Sequence, residues 1–207
     1  MRNREICLKR MNNFPILTAK QGTNADLFPN IFELYISKGS IVADVTYGKG
    51  IFWKNIDSNQ YQTLFSDLKS DNTDFSNLPY NDNSIDCLIL DPPYMHGGRT
   101  VKKSINSCYH NKNNSHESII RLYAIGILEA CRVLKKKGKI FVKSQDEIES
   151  GKQRFSHIEI MQLLELFGYQ LIDLFILIQN SIPAMREKYQ KTARKNHSYL
   201  IVGEFRR

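Results

Sequence analysis

The stretch from Cys87 to Gly98 reads CLILDPPYMHGG, and Asp91-Pro92-Pro93-Tyr94 at its centre is the part of the chain best equipped for chemistry. Cys87 to Leu90 is apolar without alternation, the pattern of a parallel strand covered on both faces. Pro92 and Pro93 have no N–H to give to a strand ladder, so the strand must stop there. Asp91 and Tyr94 are therefore predicted at a strand's carboxyl end, where open α/β sheets bind their ligands. A fixed carboxylate, a proline-stiffened backbone and an aromatic face are all preset there before any ligand arrives.

A second cluster lies upstream, Asp44-Val45-Thr46-Tyr47-Gly48-Lys49-Gly50. Its glycines allow a sharp turn and close approach of a ligand to the main chain. The G-x-x-x-x-G-K-[ST] spacing of a phosphate-cradling loop is absent. Asp67 comes 17 to 19 positions after the glycines. An acid there can accept hydrogen bonds from both ribose hydroxyls of an adenosine moiety; it also suits a helix cap. With Asp74-Phe75 behind it, the set favours a nucleoside cofactor, and NAD and S-adenosylmethionine both fit these residues.

Such residues need elements to position them. Residues 26–37 read as a helix with Phe28, Ile31, Phe32 and Tyr35 on one face. Strands are predicted over 40–46, 61–68 and 85–91, with a short helix after the glycines and an irregular connection at 74–80. The polar stretch 95–115 lacks periodicity and is long for a plain connection, so it is expected to be a mobile active-site loop. A helix over 116–134 is stopped by KKKGK, its last-turn lysines suiting the helix's negative end. Beyond it are a strand over 139–145, a helix over 155–167 ended by Gly168, and strands over 170–178 and 199–205. The last two are expected to pair antiparallel at the sheet edge. Strand and helix alternate, which predicts a doubly wound α/β sheet in a single domain over residues 1–207.

With these residues in this order, the chain resembles the Rossmann-like S-adenosylmethionine-dependent amino-methyltransferases, which methylate adenine N6 or cytosine N4. The resemblance rests on Asp44 to Gly50, Asp67, Asp74 with Leu78-Pro79, Asp91-Pro92-Pro93-Tyr94, and Asn196 to Val202. It implies a class I methyltransferase fold: a mostly parallel seven-stranded sheet, helices on both faces and a C-terminal antiparallel hairpin. It implies S-adenosyl-L-methionine as cofactor, bound by Asp44, Thr46, Tyr47, Gly48, Gly50, Asp67, Asp74 and Phe75. Asn24 and Phe28 would then contact its methionine end. It makes Asp91, Pro92, Pro93 and Tyr94 catalytic: the Asp91 carboxylate and Pro92 carbonyl accept both N–H groups of the target amine, and Tyr94 stacks on the base. An exocyclic amine is a weak nucleophile because its lone pair is delocalised into the ring. Two fixed acceptors favour a pyramidal nitrogen and stabilise its developing positive charge. Alignment of amine and methyl contributes on the order of 7–11 kcal/mol more.

Within that family an acid in first position favours adenine, so the resemblance implies methylation of adenine N6 in DNA. The same chemistry on RNA or on cytosine N4 is the enzymatic alternative. A nucleic-acid-binding protein with the fold but no turnover is the alternative of another class. Only 40 positions separate Gly50 from Leu90, and no target-recognition domain fits between them. Specificity would then rest on loops, a homodimer or a specificity-conferring partner.

Charge agrees with a nucleic-acid partner. Lys and Arg number 29 against 21 Asp and Glu, a net charge of +8, which favours an anionic surface. A basic loop at 181–198 carries Arg186, Lys188, Lys191, Arg194 and Lys195 with Tyr189 among them. Five such phosphate contacts would give a salt slope of about −4.5. Arg99, Lys102 and Lys103, with Lys112 and Tyr109, form a second basic loop after Tyr94. Together the two would clamp a base that has left its helix. Lys143 and Gln145, at the end of the next strand, either line the pocket or simply make a polar strand end. Cys108, His110 and His116 have no second ligand pair at finger spacing, so no metal is expected. The four cysteines form no C-x-x-C pair, which fits reduced thiols and a cytoplasmic protein. No apolar run reaches membrane-spanning length, and the N-terminal residues lack the apolar stretch of a secretory signal.

Overall fold

A computed structural model describes residues 15–93, 115–180, 189 and 193–206. Its elements, in chain order, are β1 (Ala19–Gln21), α1 (Asn24–Tyr35), β2 (Ile41–Asp44), β3 (Gln62–Phe65) and β4 (Ile85–Leu90). Then come α2 (His116–Val133), β5 (Leu134–Ser144), β6 (Glu147–Glu149), β7 (Lys152–Arg154), α3 (Ser156–Leu166), β8 (Tyr169–Ile178) and β9 (His197–Phe205). Seven strands form one sheet in the order β1-β8-β9-β5-β4-β2-β3, and β6 and β7 make a separate hairpin. β9 runs antiparallel to both its neighbours, β5 and β8. Every other pairing in the large sheet is parallel. This is the Rossmann-like methyltransferase architecture with its C-terminal antiparallel strand pair.

The core explains the apolar runs. Along β4, Cys87 and Ile89 pack on one face while Leu88 and Leu90 pack on the other. In β5, Phe141 joins the first set, Ile140 and Val142 the second. Both faces are covered, so the strands lose alternation. α1 covers the first face through Leu27, Phe28, Ile31 and Phe32, with Phe52 and Trp53 beside it. α2 and α3 cover the second through Ile119, Tyr123, Ile127, Ile160 and Leu164.

α1 starts two residues earlier than the periodicity predicts, because Thr23 and Asp26 form a capping box. It also contains Pro29. Proline in a helix interior removes the bond to the carbonyl four residues back. That carbonyl, on Ala25, instead accepts from the side-chain amide of Asn55 at 3.0 Å. The helix survives because a distant residue supplies the missing donor.

Two expectations are corrected, and one element is added. KKKGK does not close α2: the helix ends at Val133 and the lysines run straight into β5. A positive φ of 65° at Lys137 and a register shift opposite Ile85 to Cys87 absorb the irregular start of that strand. The hairpin β6–β7 is an element the sequence pattern does not announce, although Ser150-Gly151 at its tip adopts positive φ at both positions, as a two-residue hairpin turn requires. Finally, β8–β9 is not the sheet edge, because β1 pairs parallel to β8 beyond it.

Strand order decides where a ligand can sit. From β2 the chain passes to β3 on one side, then returns to place β4 on the other. Such a reversal opens a crevice beyond the strands' carboxyl ends. β2 ends there in Asp44 and β4 in Leu90, one residue before Asp91.

Candidate active site

The exits of β2 and β4 are tied together. The Asp91 N–H donates to Thr46 Oγ1 at 2.7 Å, and the Val45 N–H donates to the Ile89 carbonyl at 3.2 Å. On the other flank the Tyr47 N–H donates to the Ser66 carbonyl, just past β3. The Gly50 N–H closes a tight turn onto the Tyr47 carbonyl at 2.8 Å. Gly48 and Gly50 adopt φ of 53° and 65°, the left-handed region that side chains resist. A Cβ on Gly50 would meet the Tyr47 hydroxyl at 2.5 Å. Tyr47 itself stacks on Phe65 at 4.4 Å.

The glycine turn leads only into a three-residue 3-10 turn, Ile51–Trp53, and no α-helix lies between β2 and β3. The long helix whose N-terminus receives a dinucleotide's pyrophosphate is therefore missing.

Asp44 is buried; its Oδ2 accepts from the Trp53 indole N–H at 2.9 Å and its Oδ1 from the Thr46 N–H at 3.2 Å. Burial, opposed by these bonds, pushes its carboxyl up to about 6, and the Asp67 charge adds to the rise. Burial pushes the Asp91 carboxyl well above the usual range, against the Lys143 charge and with that of Asp44. The buried Asp91 Oδ1 has no hydrogen-bond partner among the described residues. The same holds for Asn24 Oδ1, at the start of α1. Since β1 runs parallel to β8, Asn24 reaches the same carboxyl edge as Asp91. Two orphaned acceptors at one edge are suited to taking a ligand's donors.

The other sequence-predicted residues divide three ways. Asp67 lies two residues past β3, where its Oδ1 accepts from the Lys69 N–H at 2.9 Å. Asp74 caps a turn, accepting from the Ser76 N–H at 2.8 Å. Phe28 is fully buried and stacked on Phe52, and Phe75 is buried beneath α2. Pro92 and Pro93 come directly after Asp91 at the carboxyl edge, and Pro92 is buried. Arg194 and Lys195 are half-buried just before β9. Tyr94, Arg99, Lys102, Lys103, Arg186, Lys188 and Lys191 fall outside the described residues, as do Tyr109, Cys108 and His110. Among the described residues, no group of His, Cys, Asp and Glu could hold a metal ion. No described helix is long and apolar enough to cross a membrane.

The structure gives weight to residues that sequence reasoning left open or passed over. Lys143 is 2% exposed and its Nζ donates to Ser198 Oγ at 2.6 Å. Asp146 Oδ1 bonds His157 Nδ1 at 2.6 Å, and the His157 ring stacks on Tyr199 at 4.0 Å. At the mouth of α2, His116 bonds Glu147 and Glu159 through its two ring nitrogens. The run Lys143-Ser144-Gln145-Asp146 at a strand exit was the available signal.

No family model matches the chain, and neither does any curated protein. Solved structures do. An S-adenosylmethionine-dependent methyltransferase from Methanosarcina mazei is 12% identical; the match covers 85% of this chain and 97% of that one, with a TM-score of 0.52. The 1,6-didemethyltoxoflavin-N1-methyltransferase of Burkholderia thailandensis, solved with S-adenosylhomocysteine, is 10% identical over 89% of this chain and 79% of that one, at 0.57. The [4+2]-cyclase SpnF is 13% identical over 87% and 80% respectively, at 0.53. At such identities the likeness is one of fold, and the cyclase illustrates how one fold carries different reactions.

Proposed function

We propose that the protein is an S-adenosylmethionine-dependent methyltransferase acting on the exocyclic amine of a nucleic-acid base, with adenine N6 in DNA as its target. The observation that carries this reading is Asp91: a carboxylate with one buried, unpartnered oxygen, at a proline-stiffened strand exit beside a glycine turn.

The residues at the crevice discriminate between nucleoside cofactors. A dinucleotide brings a pyrophosphate, and the helix N-terminus that would neutralise it is absent. The charged groups present are instead Asp44, Asp67 and Asp91 with the single ammonium of Lys143, a balance that favours a cation. S-adenosylmethionine is cationic at sulfur, and when bound it supplies an electrophilic methyl group. The glycine turn, Asp44 and Asp67 would hold it, with Asn24 at the methionine end.

On the substrate side, the Asp91 carboxylate and the Pro92 carbonyl accept the two amine N–H groups. Both acceptors are fixed before the base arrives, so no reorganisation is needed as charge develops on nitrogen. An affinity for protons raised by burial also suits Asp91 to take the proton that the amine gives up. Tyr94 offers a stacking face next in the chain. The net charge of +8 and the basic segments before α2 and after β8 favour a polyanionic substrate.

The test is transfer of labelled methyl from S-adenosylmethionine to duplex DNA, single-stranded DNA and RNA, with digested nucleosides identified by mass spectrometry. N6-methyladenine in DNA is the expected product. Asp91→Asn should lower kcat by about 10²- to 10³-fold, the cost of one preorganised group, and leave S-adenosylhomocysteine binding intact. Product in RNA or on cytosine moves the target but keeps the chemistry. Cofactor binding with no product on any polymer would support the binding-protein alternative.

A further inference from the structure

Lys143 carries a charge that this chemistry leaves unused, in a place where charges are costly. Alternation along β4 and β5 puts it in register with Asp91: Leu90 pairs with Val142, so the next residue of each strand stands side by side. Val142 and Leu90 pack toward α2 and α3, which sends Lys143 and Asp91 toward the α1 face. Asp44 falls on that face too, where Trp53 bonds it. Ser198, two residues before Leu200 of the same face, completes the row and accepts from Lys143 Nζ.

We infer that Lys143 is a positioning residue whose ammonium, fixed by Ser198, keeps the Asp91 carboxylate ionised so that it can accept the target amine. The inference rests on the role proposed for Asp91. A buried ammonium is seldom retained for stability, since an apolar residue of like volume is often as good or better. Here burial holds the lysine below the usual range of an ammonium, and the Asp91 charge opposes that fall. Asp44 acts against the pair, pushing Asp91 toward its neutral form. Without Lys143, burial and Asp44 would both favour a protonated Asp91, which lacks the negative charge that steadies a developing ammonium.

The neighbours leave the lysine free for this task. From α2, the Tyr123 hydroxyl donates to the Lys143 carbonyl at 2.8 Å and not to its ammonium. At the exit of β5, Asp146 is already paired with His157, with Tyr199 from β9 on its other oxygen. His197, at the start of β9, bonds Tyr199.

The experiment is a carbon-13 NMR titration of the aspartate carboxyls in the full chain, with the Asp91 signal assigned through Asp91→Asn. Lys143→Met keeps length and removes charge. It should raise the Asp91 midpoint by roughly one to three pH units. The acidic limb of the kcat profile should move alkaline by the same distance, with activity recovered at higher pH and S-adenosylhomocysteine affinity unchanged. Ser198→Ala, a milder change that tolerates a failure of the first variant to fold, should shift the midpoint the same way by less. An Asp91 midpoint unmoved in both variants overturns the inference. A midpoint that moves in a protein that methylates no nucleic acid upholds the pair and overturns the base-amine reading.

Discussion

The hydroxyl of Thr46 is the smallest group whose loss should be felt at Asp91. It accepts the Asp91 N–H, while the Thr46 N–H holds Asp44, so one residue links the exits of two strands. Thr46→Val preserves the branched shape but leaves the Asp91 N–H without that acceptor, at about 1–3 kcal/mol. Displacement of the reacting groups magnifies the effect on rate, and kcat should fall by up to about a hundredfold. Urea denaturation and single-turnover kinetics check the two halves, and Thr46→Ser, which restores the acceptor, should recover both. Local chemistry was legible at this scale. Prolines that end a strand and glycines that turn it act through their own backbone, whatever surrounds them. The orphaned oxygens of Asp91 and Asn24 were not, because burial belongs to the whole chain.

At the scale of elements, α2 transmits to the site through its contact with β4. A Cβ on Gly126 would lie 3.0 and 3.1 Å from the two methyls of Leu90 and 3.2 Å from Phe75. Leu90 is fully buried and immediately precedes Asp91. Gly126→Ala would add helix propensity worth about 0.5–1 kcal/mol, against an overpacking cost of typically about 1–3 kcal/mol. Crowding should win, since both neighbours are buried. The expected result is a net loss of stability in thermal or urea unfolding, with a fall in kcat that cofactor affinity does not share. Element boundaries divided by cause. Strands β4 and β5 were legible where apolar residues ran unbroken, and α3 where Gly168 stopped it. The lysines at 135–137 misled because a basic run suits a helix end and an exposed strand start equally. β1 carries no signal of its own: Ala19-Lys20-Gln21 becomes a strand by pairing with β8.

For the whole molecule, the acidic crevice makes a prediction about ligand charge. S-adenosylmethionine at a hundred times its Kd should stabilise the fold by about 2.7 kcal/mol. At roughly 2–4 °C per kcal/mol for a chain of this size, that is a rise of roughly 5–10 °C in Tm. NAD at the same concentration should leave Tm where it was, and a comparable shift with NAD would overturn the assignment of the crevice to a cationic cofactor. The amino-acid sequence by itself determined the order of the motifs, the strand stop at Pro92, the tight turn at Gly48 and Gly50, and strands covered on both faces, since each depends on neighbours a few residues apart. The tertiary structure alone decided that β4 lies beside β2 on the side away from β3, that Lys143 stands next to Asp91, and that Ser198 and Asn55 reach the partners they satisfy. Those relations join residues remote in the chain, and only strand order and register bring them together.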